Sequence, residues 1–261
     1  MRNQHGDFIW YELLTSDADA AQEFYGRLLG WRFVDSGQAD RDYRIIHTAD
    51  GIAGGVMSMT AAMKRGGGRP IWLGYIAVDD VDRTVESISA AGGKVYMPPT
   101  DIPDVGRLAM LTDPQGAPFY VMRGSSDQGS DAFAYDKPRL GHCAWNELAT
   151  SDRRAALAFY TKQFGWRKDG ELDMGPMGPY EFVRRAHVAG MFGAVMTKPK
   201  EMPVSIWTYY FRVKDIDAAV KSATAAGGKI VNGPREIPGG EFVVNGVDPQ
   251  GANFALIGAR K

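Results

Sequence analysis

At 261 residues, with 44% hydrophobic and 23% charged residues, the chain is long enough for one large or two ordinary domains and has the composition of a folded core, which excludes a disordered protein. Thirty basic residues against thirty-one acidic ones leave a net charge of −1, too small a field to hold a polyanion, so nucleic acid is excluded as a partner. The lone Cys143 excludes an internal disulfide and suits a reducing compartment; Met1–Asp7 lacks the apolar core of a signal peptide and no run nears the ~20 apolar residues of a membrane span, so a cytoplasmic protein with no membrane partner is expected.

The first element in the chain is a strand, Phe8–Leu14, rich in aromatic residues and ending at a polar stop. Asp17 follows as a helix N-cap, because its carboxylate can accept the open amide hydrogens of a first turn. Behind it Ala21, Phe24, Tyr25 and Leu28 fall at i, i+3, i+4 and i+7, the apolar stripe of a helix, and Gly30 can adopt the left-handed conformation that ends it. Tyr43–His47 and Ile52–Met59 read as short strands. The stretch Lys64–Pro70 could suggest a phosphate cradle, but it lacks the Gly-Lys-Ser/Thr ending and opens no helix, and its counterpart Lys198–Pro203 has no glycine. A linker between modules is expected there. Lys94–Met97, Leu108–Leu111 and Phe119–Met122 are further strands, the last two joined by Asp113-Pro114-Gln115-Gly116, the residue pattern of a type I turn. Gly124–Asp131 is polar and too poor in apolar residues to pack, and marks a flexible linker.

Beyond the linker the chain repeats itself. Trp10–Asp17 returns as Trp145–Asp152, and the same spacing (17 to 152) carries Phe24-Tyr25 onto Phe159-Tyr160, Gly30-Trp31 onto Gly165-Trp166, Asp80 onto Asp215, and Asp113–Ala117 onto Asp248–Ala252. A weaker repeat inside each half takes Asp17 to Asp80 and Asp152 to Asp215. The chain therefore consists of four related βαβββ modules, with a first domain over residues 1–123, a linker over 124–138 and a second domain over 139–261.

The strand ending in Ser16-Asp17, the helix with Phe24-Tyr25 closing at Leu29-Gly30-Trp31, the run Val78–Asp82 and the turn Asp113–Gly116 resemble the vicinal oxygen chelate superfamily, which includes glyoxalase I, bleomycin-resistance proteins and extradiol dioxygenases. The two-domain glyoxalase-like subgroup is most similar. The resemblance implies an α+β fold in which each half pairs its βαβββ modules into a cupped, mixed eight-stranded sheet with helices on the convex side. It also implies a divalent metal and a substrate on the concave face, with ligands at positions that in this sequence are Trp10, Leu73 and Tyr120 in the first half and Trp145, Thr208 and Ala255 in the second. The remaining ligand position falls near Met57, and near Phe192–Val195 in the second half. These residues are not imidazole, carboxylate or amide donors in the number a divalent cation needs, and His5, His47, His142 and His187 fall outside the register. No metal or other cofactor is expected.

Alternation along a strand puts Phe8, Trp10, Glu12 and Leu14 on one face, and by the same rule Leu73, Tyr75 and Ala77 face inward. Trp145, Glu147 and Ala149, with Thr208, Tyr210 and Arg212, are their counterparts. The candidate ligand-binding residues are thus Trp10, Glu12, Tyr75 and Tyr120 in the first cup and Trp145, Glu147, Tyr210 and Arg212 in the second. They suit a flat, partly apolar organic molecule carrying a cation or a hydrogen-bond donor. Trp10 and Trp145 can equally be core residues, and Glu147 can serve as a structural partner of Arg212. Glu12 has no such arginine, since Ala77 holds the matching position. No catalytic residue is identified, and Cys143 is read as a small buried side chain. The expected function is metal-independent binding of a small organic molecule, as a monomer or homodimer. The alternatives are a divergent lyase, isomerase, hydroxylase or dioxygenase on the same fold, or a scaffold that only dimerises.

Overall fold

The computed structural model describes residues 3–39, 41–134 and 138–261. Residues 135–137 of the predicted linker lie outside these.

The first module runs β1 (Phe8–Thr15), α1 (Ala18–Leu29), β2 (Arg32–Asp35), β3 (Tyr43–His47) and β4 (Ile52–Ser58). A one-turn helix, α2 (Ala61–Arg65), capped by the Thr60 hydroxyl, runs into the expected inter-module linker and takes in its first two residues, Lys64 and Arg65. The second module is β5 (Ile71–Ala77), α3 (Val81–Ala90), β6 (Lys94–Ile102), β7 (Gly106–Thr112) and β8 (Pro118–Gly124). The third comprises β9 (Cys143–Thr150), α4 (Arg153–Phe164), β10 (Arg167–Asp173), β11 (Pro179–Arg184) and β12 (Met191–Thr197). The fourth comprises β13 (Ile206–Val213), α5 (Ile216–Ala225), β14 (Lys229–Glu236), β15 (Phe242–Val247) and β16 (Asn253–Gly258). Each half forms an open, mixed eight-stranded sheet, ordered β2-β3-β4-β1-β5-β8-β7-β6 in the first and β10-β11-β12-β9-β13-β16-β15-β14 in the second. The α+β fold of paired modules is as expected.

The helix signals act as their chemistry requires. Asp17, Asp80, Asp152 and Asp215 each accept first-turn amide hydrogens, and Gly30 and Gly165 close α1 and α4 in the left-handed conformation, both at φ 69°. β6 runs on through Pro98-Pro99 to Ile102, beyond the four residues expected. It is an edge strand with ladder irregularities around Met97, and an edge tolerates proline because only one side must hydrogen bond.

Contacts divide the chain into two compact units that cross the sequence halves: Met1–Ile9, Gly74–Ser130 and Asn146–Thr208 in one, and Trp10–Leu73, Asp131–Trp145 and Tyr209–Lys261 in the other. Inside each unit the recurring family residues join one half to the other. In the second unit Trp72 Nε1 donates to Tyr25 Oη at 3.1 Å, and Tyr25 Oη donates to Asp248 Oδ2 at 2.9 Å. The first unit repeats the chain with Trp207 Nε1, Tyr160 Oη and Asp113 Oδ2, at 3.0 and 3.1 Å. Asp113 and Asp248 use their other oxygen to brace their own turns, accepting from the amides of Gln115 and Ala117 and of Gln250 and Ala252. Burial pushes both carboxyls above the ordinary carboxylate range, and burial with the charge of Asp248 pushes the Tyr25 phenol well above its own. Trp31 Nε1 donates to the Gly141 carbonyl and Trp166 Nε1 to that of Gly6, each at 2.8 Å.

The predicted linker is tied at both ends. The Ser125 amide donates to the Val105 carbonyl, Ser130 donates to Asn3 Oδ1 and to the Ile9 carbonyl, and Ala132 is fully buried. Phe8 also departs from expectation: it stacks on Trp166 and meets Phe192 and Trp207, rather than sharing the environment of Trp10. It is the first residue of its strand, where the ladder constrains direction least, and three aromatic neighbours outweigh strict alternation there.

Candidate functional site

The front face of β1 carries Trp10 and Glu12, while Tyr11 points the other way and packs edge-on against Phe211 and, tilted, against Tyr209. Trp10 is half-buried and its Nε1 donates to Tyr43 Oη at 2.8 Å. Tyr43 lies across Gly55, where a Cβ would collide with its ring and hydroxyl, so this glycine makes the floor on which the tyrosine rests. Gly55 is the ladder neighbour of Glu12, which is only 2% exposed. Trp10, Glu12 and Tyr43 therefore form one patch.

In the second module Tyr75 and Tyr120 are ladder partners whose rings stack at 4.2 Å and 17°. Met110 flanks Tyr120 on the next strand and Met97 flanks Met110, which makes this face aromatic and thioether.

In the third module Tyr180 Oη donates to Glu147 Oε2 at 2.8 Å, and the Tyr180 ring meets Phe182 edge-on at 5.6 Å. In the fourth, Tyr210 packs with Val243, Ala255 and Ile257, with Trp145 against the cluster. Asn245 Nδ2 donates to Tyr210 Oη at 3.2 Å. Both terminal nitrogens of Arg212 donate to Glu241. The carboxylate beside Arg212 is thus Glu241, and the hydroxyl beside Glu147 is Tyr180. The structure brings together Trp10 with Glu12, Tyr75 with Tyr120, and Trp145 with Tyr210. Sequence reasoning missed Tyr43, Tyr180, Glu241 and Asn245. The first two had a usable signal, since Tyr43 opens the third strand of its module and Tyr180 is the second residue of the third strand of its own.

Cys143 is fully buried, and burial pushes its thiol up to about 12, which makes it a packed side chain and a poor nucleophile. His142 is fully buried as well, between the Asp131 carbonyl at 2.7 Å on Nδ1 and Thr48 and Asp50 at 2.8 and 3.0 Å on Nε2. The Arg139 guanidinium, with help from His142 and Thr48, lowers the Asp50 carboxyl to about 2. Asp7 occupies the equivalent place in the other half and pairs with Arg185 at 2.6 Å and His187 at 3.3 Å, the same device with its charges exchanged. A shallow depression of about 520 Å³ beside Asp19, Glu23, Arg27 and Phe33 includes none of the candidate residues.

The positions that the resemblance assigns to metal ligands carry two indoles, a phenol, a hydroxyl, a thioether and otherwise hydrocarbon groups. Trp10 and Tyr120 are engaged by neighbouring aromatic residues, and among the described residues no group of three or more His, Cys, Asp or Glu side chains converges on one point. The residues do not fit a divalent cation.

Two matches to one family model, over residues 8–121 and 139–256, place the chain in the glyoxalase/bleomycin resistance protein/dioxygenase superfamily, to which it belongs. CFP32 of Mycobacterium tuberculosis, a protein provisionally named a glyoxylase, is 34% identical over 95% of this chain and 93% of its own length. DnrV of Streptomyces peucetius, named an anthracycline biosynthesis protein, is 29% identical over 97% of this chain and 93% of its own. Among solved structures, a Mn(II)-bound glyoxalase from Novosphingobium aromaticivorans shares the fold with a TM-score of 0.66 at 18% identity, covering 99% of this chain and 83% of that one. No helix of the described residues is long and apolar enough to cross a membrane.

Proposed function

We propose that the chain binds a small, planar, partly apolar organic molecule on the front faces of its modules, through side chains and without a metal ion. One observation carries this reading: the positions that hold metal ligands in the fold are occupied by aromatic and apolar residues, with Trp10 bonded to Tyr43 and Tyr120 stacked on Tyr75. Stacked rings suit a flat ligand, which would lie against the half-buried Trp10 and would have to part the Tyr75–Tyr120 pair, 6% and 4% exposed. The reading keeps residues 1–123 and 139–261 as two ligand-binding domains, acting as a monomer or homodimer in the cytoplasm. Similarity to a protein named for anthracycline biosynthesis agrees with a planar polycyclic ligand. Similarity to CFP32, together with the nearly buried Glu12 carboxyl, favours a second reading, a divergent glyoxalase-type or dioxygenase-type enzyme.

Titration with naphthalene and 2-naphthamide, followed by tryptophan fluorescence, compares the native chain with Glu12→Gln. Binding weakened by the substitution, with both probes recovered unchanged, is the expected result. Turnover that disappears while affinity persists would establish the enzyme. A chain that binds neither probe would be left as a scaffold.

A further inference from the structure

The second and fourth modules are equivalent in register, 135 residues apart (75 to 210), yet their front faces differ in kind. Ala77, Met97, Gly106 and Met110 in the first half become Arg212, Asn232, Glu241 and Asn245 in the second. Tyr120, the stacking partner of Tyr75, becomes Ala255. Where the first half lays down rings and thioethers, the second lays down a polar row. Ladder pairing sets Tyr210 beside Ala255, Ala255 beside Asn245, and Asn245 beside Asn232. Loss of the ring at residue 255 lets Asn245 reach across to the Tyr210 hydroxyl at 3.2 Å, while Asn232 Nδ2 donates to Asn245 Oδ1 at 3.4 Å.

Arg212 completes the contrast. Its terminal nitrogens are engaged by Glu241, which offsets the guanidinium charge. Its Nε is buried and has no hydrogen-bond partner among the described residues. A buried donor left without an acceptor is costly, so an oxygen that reached this N–H would relieve that cost. The Nε atoms of Arg153 and Arg185 are in the same state, but neither arginine adjoins a polar row like that of Asn232 and Asn245. An incoming carboxylate would meet the negative charge of Glu241, whereas a carbonyl or amide oxygen would not.

We infer that the two halves have diverged toward different ligands, and that the face of β13, β15 and β16 takes a neutral molecule by donating a hydrogen bond from Arg212 Nε to its carbonyl or amide oxygen. The inference rests on the reading that these faces bind small organic molecules, and it adds the ligand class of one of them.

Nitrogen-15 spectra of the arginine Nε–H groups, assigned with Arg212→Lys, test it on the full chain with naphthalene, 2-naphthamide and 2-naphthoate as probes. The Arg212 Nε proton is expected to move on adding 2-naphthamide and to stay in place with naphthalene. Arg212→Lys, which keeps a cation beside Glu241 but removes this donor, should weaken 2-naphthamide binding about tenfold or more. 2-Naphthoate should bind less tightly than the amide. An unmoved Arg212 signal in the native chain, or tighter binding of the carboxylate, overturns the inference. If naphthalene still binds and quenches tryptophan, the reading of the faces stands without it. Failure of all three probes overturns both.

Discussion

The hydroxyls of Tyr25 and Tyr160 each sit between an indole donor and a carboxylate acceptor, so removing either strands two buried polar partners at once. Tyr25→Phe and Tyr160→Phe are each expected to cost about 1–3 kcal/mol in urea unfolding, with nearly additive effects because the two chains of bonds share no residue. Asp50 predicts a pH dependence. Its folded value, about 2, lies below that of the unfolded chain, so its contribution is full above the unfolded value and is lost as pH falls toward the folded one. Unfolding midpoints measured from pH ~5 down to ~2 should therefore fall more steeply for the native chain than for Asp50→Asn. Asp113 and Asp248 have raised values and act in the opposite sense, but equally in both proteins. At this scale much was hidden from the sequence. The register aligned His142 with Asp7, yet the two devices exchange the signs of their partners, so no residue identity recurs to reveal them. Tyr43 escaped notice because its role depends on an absent side chain, at Gly55, on another strand.

Elements were the most legible level, because helix caps, apolar stripes and turns are local chemistry. Asp17 and Gly30 bound α1 as their residue types require, and Asp113–Gly116 turns as its pattern demands. What local chemistry could not supply is length at an edge, as in β6, and direction at a strand start, as with Phe8. Close backbone approach marks a further position. A Cβ at Gly193 would run into the Asn146 carbonyl of the parallel neighbour β9. Gly193→Ala should therefore cost about 3 kcal/mol and raise amide exchange along β12. Asp152→Ala, which removes the acceptor for the Ala155 amide at the start of α4, should cost only about 1 kcal/mol in the same unfolding assay.

At the scale of the whole molecule, the repeat fixes the two sheets, but each compact unit draws on both halves. The spacing of 135 residues could not show this, because it records which residues are equivalent and not which ones touch. Tyr25 with Asp248 and Tyr160 with Asp113 are long-range pairs that the recurring motifs concealed as family marks. Residues 1–130 and 131–261 made separately should melt without cooperativity and should co-purify when expressed together. Two separately cooperative halves would show that these contacts contribute little. On the proposed function, the front faces work through organic contacts where a Mn(II)-bound glyoxalase of the same fold holds a metal. Elemental analysis of protein purified without chelator and then offered manganese, zinc, nickel and iron decides between the two. No metal retained above the level of a control protein is expected, and about one tightly held ion per half would overturn the proposed function.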